Sequence, residues 1–183
     1  MATETMTRTG LTELLRQDHR RMKKLFEQFE DARDEQRKSI ASEALNLIAL
    51  HDVIEQTLLY PAVAKESSIS RNLVLRCEEA HHVVHLLLAE LKVRPYNDRY
   101  FAKFSKMSEG ILAHIDEEEN ELFPAIERSR IDNAELGRRM QELKESRGAM
   151  LMRSMGAKSG AFAGVALIAG IGWAVYKAFS SQE

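Results

Sequence analysis

The 183-residue sequence has little cysteine, proline or net charge, and each shortage excludes a class of protein. Its single cysteine, Cys77, cannot form an internal disulfide, and this low cysteine content is typical of proteins in a reducing compartment. Only three prolines interrupt a chain that is 44% hydrophobic and 30% charged, a composition typical of a packed helical domain. A net charge of −2 gives no reason to expect nucleic-acid binding. The function therefore has to be inferred from the spacing of particular side chains.

Apolar residues recur at helical spacing in five segments of the chain. Short connections between such helices predict an all-α protein, an up-down-up-down four-helix bundle followed by a short fifth helix. We expect a charged turn at Asp31–Lys38 and a break at Pro95, after which Asn97 or Asp98 can cap the next helix. The predicted helices span about residues 11–30, 39–65, 71–93 and 98–130, and the fifth begins after residue 132.

An uncharged apolar segment near the C-terminus predicts a transmembrane helix. Residues 161–176 read AFAGVALIAGIGWAVY, and their neighbours extend the segment toward the roughly 20 residues of a bilayer span. Ala166, Gly170 and Ala174 recur every fourth residue, a stripe of small residues that favours a homodimer of such helices. Basic residues on its N-terminal side predict a single-pass membrane protein with the bundle in the cytoplasm. The predicted parts are a disordered N-terminus at 1–10, the bundle at 11–147, a basic linker at 148–159 and the anchor at 160–179.

One motif occurs twice, and its second copy lies 63 residues after the first. His51 and Glu55 are followed by Leu-Tyr-Pro-Ala, and His114 and Glu118 by Leu-Phe-Pro-Ala. Residues i and i+4 of a helix lie on one face about 6 Å apart, so each pair can offer two ligands to one point. The proline of each copy should kink its helix. The repeat predicts a duplicated helical hairpin with matching ligands in its two halves.

Three further histidines complete a set of candidate metal ligands. His19 lies on the apolar face of the first helix, and the i, i+4 spacing places His81 and His85 on one face of the third. His82 is the alternative to His81. Five imidazoles and two carboxylates are too many for one ion and suit two, and bundle cores bind paired metals through ligands from facing helices. Nitrogen and oxygen ligands without thiolate favour iron or manganese.

Other side chains near these motifs have simpler interpretations. Tyr60 and Phe123 are expected to close one end of the site, and the Tyr60 hydroxyl can bond a ligand. Cys77 is interpreted as a small buried side chain. Glu117 and Glu119 are interpreted as part of a solvated helix face, although Glu119 is also the alternative to Glu118 as a ligand.

The chain resembles the hemerythrin-like (HHE cation-binding) domain family over about residues 11–147. The resemblance rests on the segments QDHRRM, HDVIEQTLLYPAV, EEAHHVVHLLLAEL and HIDEEENELFPAIE. It implies a four-helix bundle that holds two non-haem iron ions and binds dioxygen at one of them. It also implies that Glu55 and Glu118 bridge the ions. The terminal ligands that it implies are His19, His51, His81, His85 and His114.

The expected function is to bind or sense dioxygen, peroxide or nitric oxide at a di-iron centre on the cytoplasmic face of a membrane. The alternative is an oxidoreductase that scavenges peroxide or nitric oxide, or a module that senses or donates iron. Apart from the ligands, the sequence offers no nucleophile or acid–base pair, which favours a binding or sensing module over a hydrolase. Whether the protein is an enzyme stays open.

Overall fold

The computed structural model describes residues 9–156, with side chains through residue 146. Within this range every regular element is helical, so the predicted all-α class is confirmed. We number the elements in chain order and treat the two π-helical turns separately. They are α1 (Leu11–Asp31), α2 (Asp34–Ile54), π1 (Glu55–Leu59), α3 (Tyr60–Val63), α4 (Arg71–Val93), α5 (Asp98–Glu117), π2 (Glu118–Leu122), α6 (Phe123–Glu127) and α7 (Asn133–Gly156).

Four helical rods form the bundle. Two are single helices, α1 and α4, and the others are the continuous rods α2–π1–α3 and α5–π2–α6. The α1 helix packs against α2 and α5, and α4 packs against the same two helices. Short connections make rods that follow one another in the chain antiparallel. The four ligand-bearing segments therefore face a common interior.

The connection between the first two rods is shorter than the sequence predicts. A turn is expected over Asp31–Lys38, but α2 already begins at Asp34, and only Ala32 and Arg33 join the helices. Asp34 and Glu35 lie in the first turn of α2, where negative charge interacts favourably with the positive end of the helix dipole. Most of the charged segment that was predicted to be a turn therefore forms the first turns of α2.

Each rod that carries a repeated motif contains a π turn directly before its proline. In π1 the Tyr60 N–H binds the Glu55 carbonyl five residues earlier, and π2 repeats this bond in the second half of the chain. Pro61 and Pro124 follow at the start of α3 and α6. In a regular α-helix a proline ring would clash with the carbonyl four residues earlier. The predicted kinks therefore take the form of wider turns that accommodate the prolines.

The N-terminal half of α7 packs closely against the start of α1. A Cβ atom on Gly137 would lie 2.2 Å from the Thr9 carbonyl oxygen, so only glycine permits this approach. Thr12 N–H donates to Asn133 Oδ1 at 3.1 Å, and Asn133 Nδ2 donates to Thr12 Oγ1 at 2.9 Å. These contacts fix the fifth helix along the bundle.

The structure corrects the predicted membrane localisation. No helix within residues 9–156 is long and apolar enough to cross a bilayer. The prediction of a single-pass membrane protein is therefore wrong for the described chain. The segment that it rested on, 160–179, lies outside the described residues, as does most of the predicted disordered N-terminus. The α7 helix continues to Gly156, through most of the predicted linker.

The interior consists of two apolar clusters with a layer of polar side chains between them. We call one the aromatic cluster, since it contains Phe26, Phe29 and Phe104. We call the other the aliphatic cluster, after members such as Leu15 and Leu59. The layer between them, here the polar layer, has ligand residues from all four rods. Its members, all buried, are His19, His51, Glu55, His81, His114 and Glu118.

Candidate metal centre

The polar layer divides into two groups of side chains that can each hold a metal ion. Each group has two imidazoles and the same two carboxylates. In each group the ligand atoms lie within 4.8 Å of one another. The first cluster is His19, His51, Glu55 and Glu118, and the second cluster is Glu55, His81, His114 and Glu118.

Glu55 presents one carboxylate oxygen to each cluster. Its Oε1 lies 3.1 Å from Nε2 of His51, and its Oε2 lies 3.0 Å from Nε2 of His81. The i, i+4 spacing places Glu55 beside His51 on the α2–π1 rod, while His81 comes from α4. The carboxylate thus connects ligands of two rods and belongs to both clusters.

Glu118 repeats this arrangement from the opposite half of the chain. Its Oε2 lies 3.4 Å from Nε2 of His19, and its Oε1 lies 3.5 Å from Nε2 of His114. The buried Tyr60 hydroxyl donates to Glu118 Oε1 at 3.3 Å. Both carboxylates therefore have the orientation that two neighbouring cations would require.

The distances between facing ring nitrogens indicate whether cations fit this layer. Nε2 of His19 and Nε2 of His51 are 3.3 Å apart, and those of His81 and His114 are 2.9 Å apart. Two imidazole nitrogens can approach so closely only with a proton or a cation to satisfy their lone pairs. Among the described residues neither buried oxygen of Glu55 accepts a well-formed hydrogen bond, although each faces an imidazole nitrogen, and this is costly for a carboxylate. The donor set fits a pair of metal ions.

The electrostatics of the layer indicate the same need for positive charge. Burial alone would lower the pKa of His51, but Glu55 and Asp18 raise it to about 10. Burial would also lower the pKa of His81, which Asp52 and Glu55 raise well above its usual value. Conversely, burial would raise the pKa of Glu55, which the imidazoles of His51 and His81 hold well below its usual range. Without metal, protons on His51 and His81 balance the negative charge of Glu55.

Carboxylates outside the layer hold the outward nitrogens of two imidazoles. With Nε2 free as a ligand, His19 Nδ1 donates to Glu119 Oε1 at 2.9 Å, and His81 Nδ1 donates to Asp52 Oδ1 at 2.7 Å. Such carboxylate–histidine pairs fix the ring orientation and raise ligand basicity. The interpretation of Glu119 as part of a solvated face is therefore wrong, and Glu119 lies in neither cluster.

The sequence interpretation did not identify the carboxylates Asp18 and Asp52, which adjoin ligand histidines in the chain. Both are almost fully buried. Asp18 lies four residues before Met22, and Asp52 four residues after Ile48, so each stands on a buried stripe of its helix. A carboxylate on such a stripe needs a buried partner. An acidic residue on a buried helix stripe is the sequence feature that could have identified Asp18 and Asp52.

His85 lies apart from both clusters. Its Nε2 is 2.5 Å from Asp52 Oδ2, and its side chain is 34% exposed. Since the other oxygen of Asp52 accepts from His81, His85 supports a member of the second cluster indirectly. His82 is exposed, whereas His81 is buried in the layer.

A third group of possible ligands adjoins the second cluster and consists of Cys77, His114 and Glu117. Glu117 pairs with Arg76 at 2.5 Å, and its other oxygen lies 3.9 Å from Cys77 Sγ. Burial, with the carboxylates of Glu118 and Glu117, raises the pKa of the Cys77 thiol well above its usual value. A protonated thiol is a poor metal ligand. Cys77 is fully buried in the aliphatic cluster, as predicted.

Two aromatic rings close the aliphatic side of the polar layer. The Phe123 ring stacks on His19 with centroids 5.5 Å apart, and Tyr60 packs edge-on against His81 at 5.3 Å. Both positions come directly after a π turn. The predicted closing role of Tyr60 and Phe123 is confirmed.

A cavity of about 20 Å³ lies on the opposite, aromatic side of the layer. A space of this size accepts about one water molecule or a ligand of similar size. One wall consists of three histidines of the clusters and Asp52, and the other consists of apolar side chains. The lining residues are His51, Asp52, His81 and His114, with Met22, Ile48, Val84, Ile111 and Ile115 opposite.

The fold and site together define an all-helical bundle whose buried histidines and glutamates can hold metal cations. Residues 10–126 match the family described as Hemerythrin HHE cation binding domain, and the chain belongs to that family. Among solved structures it is similar to a hemerythrin HHE cation binding domain-containing protein from Mycobacterium kansasii, at 24% identity and a TM-score of 0.68. That match covers 87% of this chain and 99% of the other and shows the shared fold. No curated protein matches the chain.

Proposed function

We propose that the polar layer holds two iron ions and binds dioxygen, peroxide or nitric oxide beside them. The observation that carries this proposal is the orientation of Glu55 and Glu118, each with one oxygen toward each cluster. A carboxylate in that orientation can bridge two cations. The proposed ligands are His19 and His51 for the first ion, His81 and His114 for the second, and Glu55 and Glu118 for both.

The donor types favour iron, with manganese as the nearest substitute. Imidazole and carboxylate ligands suit both metals, whereas a thiolate would favour zinc or copper(I). Cys77, the single cysteine, is absent from both clusters. Bound iron would supply redox chemistry and ligand coordination that none of these side chains offers.

The surrounding residues restrict the ligand and fix the site. The cavity admits a molecule of about the size of water, so bulky organic substrates do not reach the layer. Asp52 and Glu119 orient the rings of His81 and His19. The Tyr60 hydroxyl holds one oxygen of Glu118. These features support binding of a small ligand in a preformed site.

The test is metal analysis and visible spectroscopy of the purified protein, reduced without oxygen and then exposed to it. Two irons per chain and a charge-transfer band that reverses on deoxygenation are the expected result. Oxidation without a stable adduct, with steady consumption of added peroxide or nitric oxide, would instead favour the scavenging enzyme. A folded chain that takes up no iron would overturn the proposal.

A further inference from the structure

We propose that peroxide held in the cavity beside the polar layer transfers an oxygen atom to Met22, and that the resulting methionine sulfoxide closes the cavity. The inference rests on the proposed function, since it requires peroxide to lie next to the metal centre. It goes further in two respects. It assigns a site of oxidative modification, and it limits how long the centre accepts small ligands in excess peroxide.

Met22 lies where the first helix passes the cavity. It follows His19 by three residues on the buried face of α1, and its side chain belongs to the aromatic cluster. It lines the cavity opposite His51, His81 and His114. Because Met22 is buried, peroxide in the bulk solvent does not contact it directly. The thioether thus shares a small space with three of the proposed metal ligands.

The chemistry of the lining residues singles out this side chain. Among the described residues of the cavity wall, the other apolar ones are aliphatic and have no lone pair, and Asp52 is a carboxylate. The imidazoles are the proposed ligands. A thioether has a polarisable sulfur with free lone pairs, and its oxidation to a sulfoxide is a common oxidative change. The oxidisable side chains of Cys77 and Tyr60 belong to the aliphatic cluster, on the other side of the layer.

The reaction needs no reactant besides peroxide. A lone pair of the Met22 sulfur forms a bond to one peroxide oxygen while the O–O bond breaks. The sulfur is oxidised by two electrons, and these reduce the departing oxygen. That oxygen takes the proton of the transferred oxygen and leaves as water. The products are one methionine sulfoxide and one water molecule for each peroxide consumed.

The sulfoxide occupies the space in which it forms. It adds one oxygen atom to a wall of a cavity of about 20 Å³, which accepts about one water molecule. It also replaces an apolar group by a polar one that accepts hydrogen bonds. The next small ligand is therefore excluded. Enzymes that reduce methionine sulfoxide reach a buried residue only when the bundle opens, so the change persists.

The first test treats the iron-loaded full chain with hydrogen peroxide and measures the masses of its proteolytic peptides. Met107 and Met140 are internal controls, because both are as deeply buried as Met22 but do not line the cavity. We expect Met22 to gain one oxygen atom in most chains, while Met107 and Met140 keep their masses. Equal oxidation of all three, or oxidation of Cys77 in place of Met22, would overturn the inference.

The metal-free chain and a filled cavity test where the peroxide reacts. Met22 should stay unmodified in the metal-free chain, since nothing there holds peroxide beside it. Ile111→Phe fills the cavity from the apolar wall and should also protect Met22 in the iron-loaded chain. Oxidation of Met22 to the same extent in either sample would overturn the assignment of the reaction to this cavity.

The second test asks whether the sulfoxide closes the cavity. Met22→Leu is compared with Met107→Leu, a matched substitution that conserves volume equally well. Each chain is treated with peroxide, reduced again and given nitric oxide, and its adduct is compared with that of its own untreated sample. The unmodified chain and Met107→Leu should lose the adduct, whereas Met22→Leu should retain it. Equal loss in Met22→Leu would overturn closure by the sulfoxide.

The outcomes separate this inference from the proposed function. Full iron loading with an unmodified Met22 after peroxide treatment overturns the inference and leaves the metal centre intact. A chain that takes up no iron overturns the metal centre and this inference together.

Discussion

Glu55 and Glu118 occupy equivalent positions in the two halves of the chain, and each lies fully buried between the same two pairs of imidazoles. Each follows a histidine of its own rod by four residues and begins a π turn. Each half of the chain thus contributes one carboxylate that serves both clusters. Loss of either carboxylate should therefore affect both ions.

Glu55→Gln is expected to remove both metal ions. The amide has one acceptor oxygen and so cannot serve two cations. Glu109→Gln is the matched control, because Glu109 is an exposed residue paired with Lys106 at the surface. Metal analysis after gel filtration measures the difference. Retention of one full equivalent in Glu55→Gln would show that this carboxylate does not bridge.

The three histidines of α4 should differ sharply when each is changed to glutamine. His81→Gln should lose the second ion, because this ring faces both Glu55 and His114. His82→Gln should keep full metal content, since the ring is exposed. His85→Gln should keep both ions but bind the second less tightly, because His85 acts through Asp52. Loss of a whole ion from His85→Gln would mean that His85 is a ligand in the loaded protein.

Stability should depend on pH differently in the metal-free and loaded chains. His51 has a pKa of about 10 in the folded metal-free chain, against an ordinary value of 6.5. Its protonated form therefore contributes stability that is complete below pH 6.5 and is lost as the pH rises through about 10. Loaded protein needs unprotonated ligands, so acid should remove its metal.

Thermal unfolding of both forms over that pH range measures the effect. The melting temperature of the metal-free chain should fall with rising pH, while the stabilisation by metal should grow. A melting temperature of the metal-free chain that rises through this window would contradict the charge assignment of His51.

Filling the cavity should block the small ligand and spare the metal. Ile111→Phe places a larger ring in the apolar wall, at a stability cost of about 1–3 kcal/mol for overpacking. Leu112→Phe is the control, since Leu112 is 39% exposed on the same helix. Iron content should stay at the level of the unmodified chain, while the nitric oxide adduct is lost in Ile111→Phe alone. An unchanged adduct in Ile111→Phe would place the ligand elsewhere.

Helical periodicity and the duplicated motif were sufficient to predict most of the fold. The predicted third helix, 71–93, coincides with α4, because its apolar spacing is regular and Pro95 follows it. All predicted ligands except His85 lie in the two clusters, since i, i+4 spacing fixes which rings share a helix face. These features depend on the spacing of residues within one helix, which can be read directly from the sequence.

Contacts between helices that are distant in the chain could not be predicted from the sequence. Whether His85 turns toward the clusters or toward Asp52 depends on how α2 and α4 pack together. Lys144 reaches Asp18 across 126 residues, and no local pattern links the two. The two π turns were missed for a related reason, because a proline predicts a disturbed helix but not which wider turn accommodates it.

The π turns also set the register between each bridging carboxylate and the aromatic residue that follows it. Tyr60 comes five residues after Glu55, and Phe123 five after Glu118. In an α-helix, residues five apart point about 140° away from each other, since each residue adds about 100°. The inserted residue turns both rings back toward the ligands. A regular α-helix with the same five-residue spacing would rotate each ring off the histidine that it covers, whereas deleting one residue would leave the ring four residues after its glutamate and on the same face.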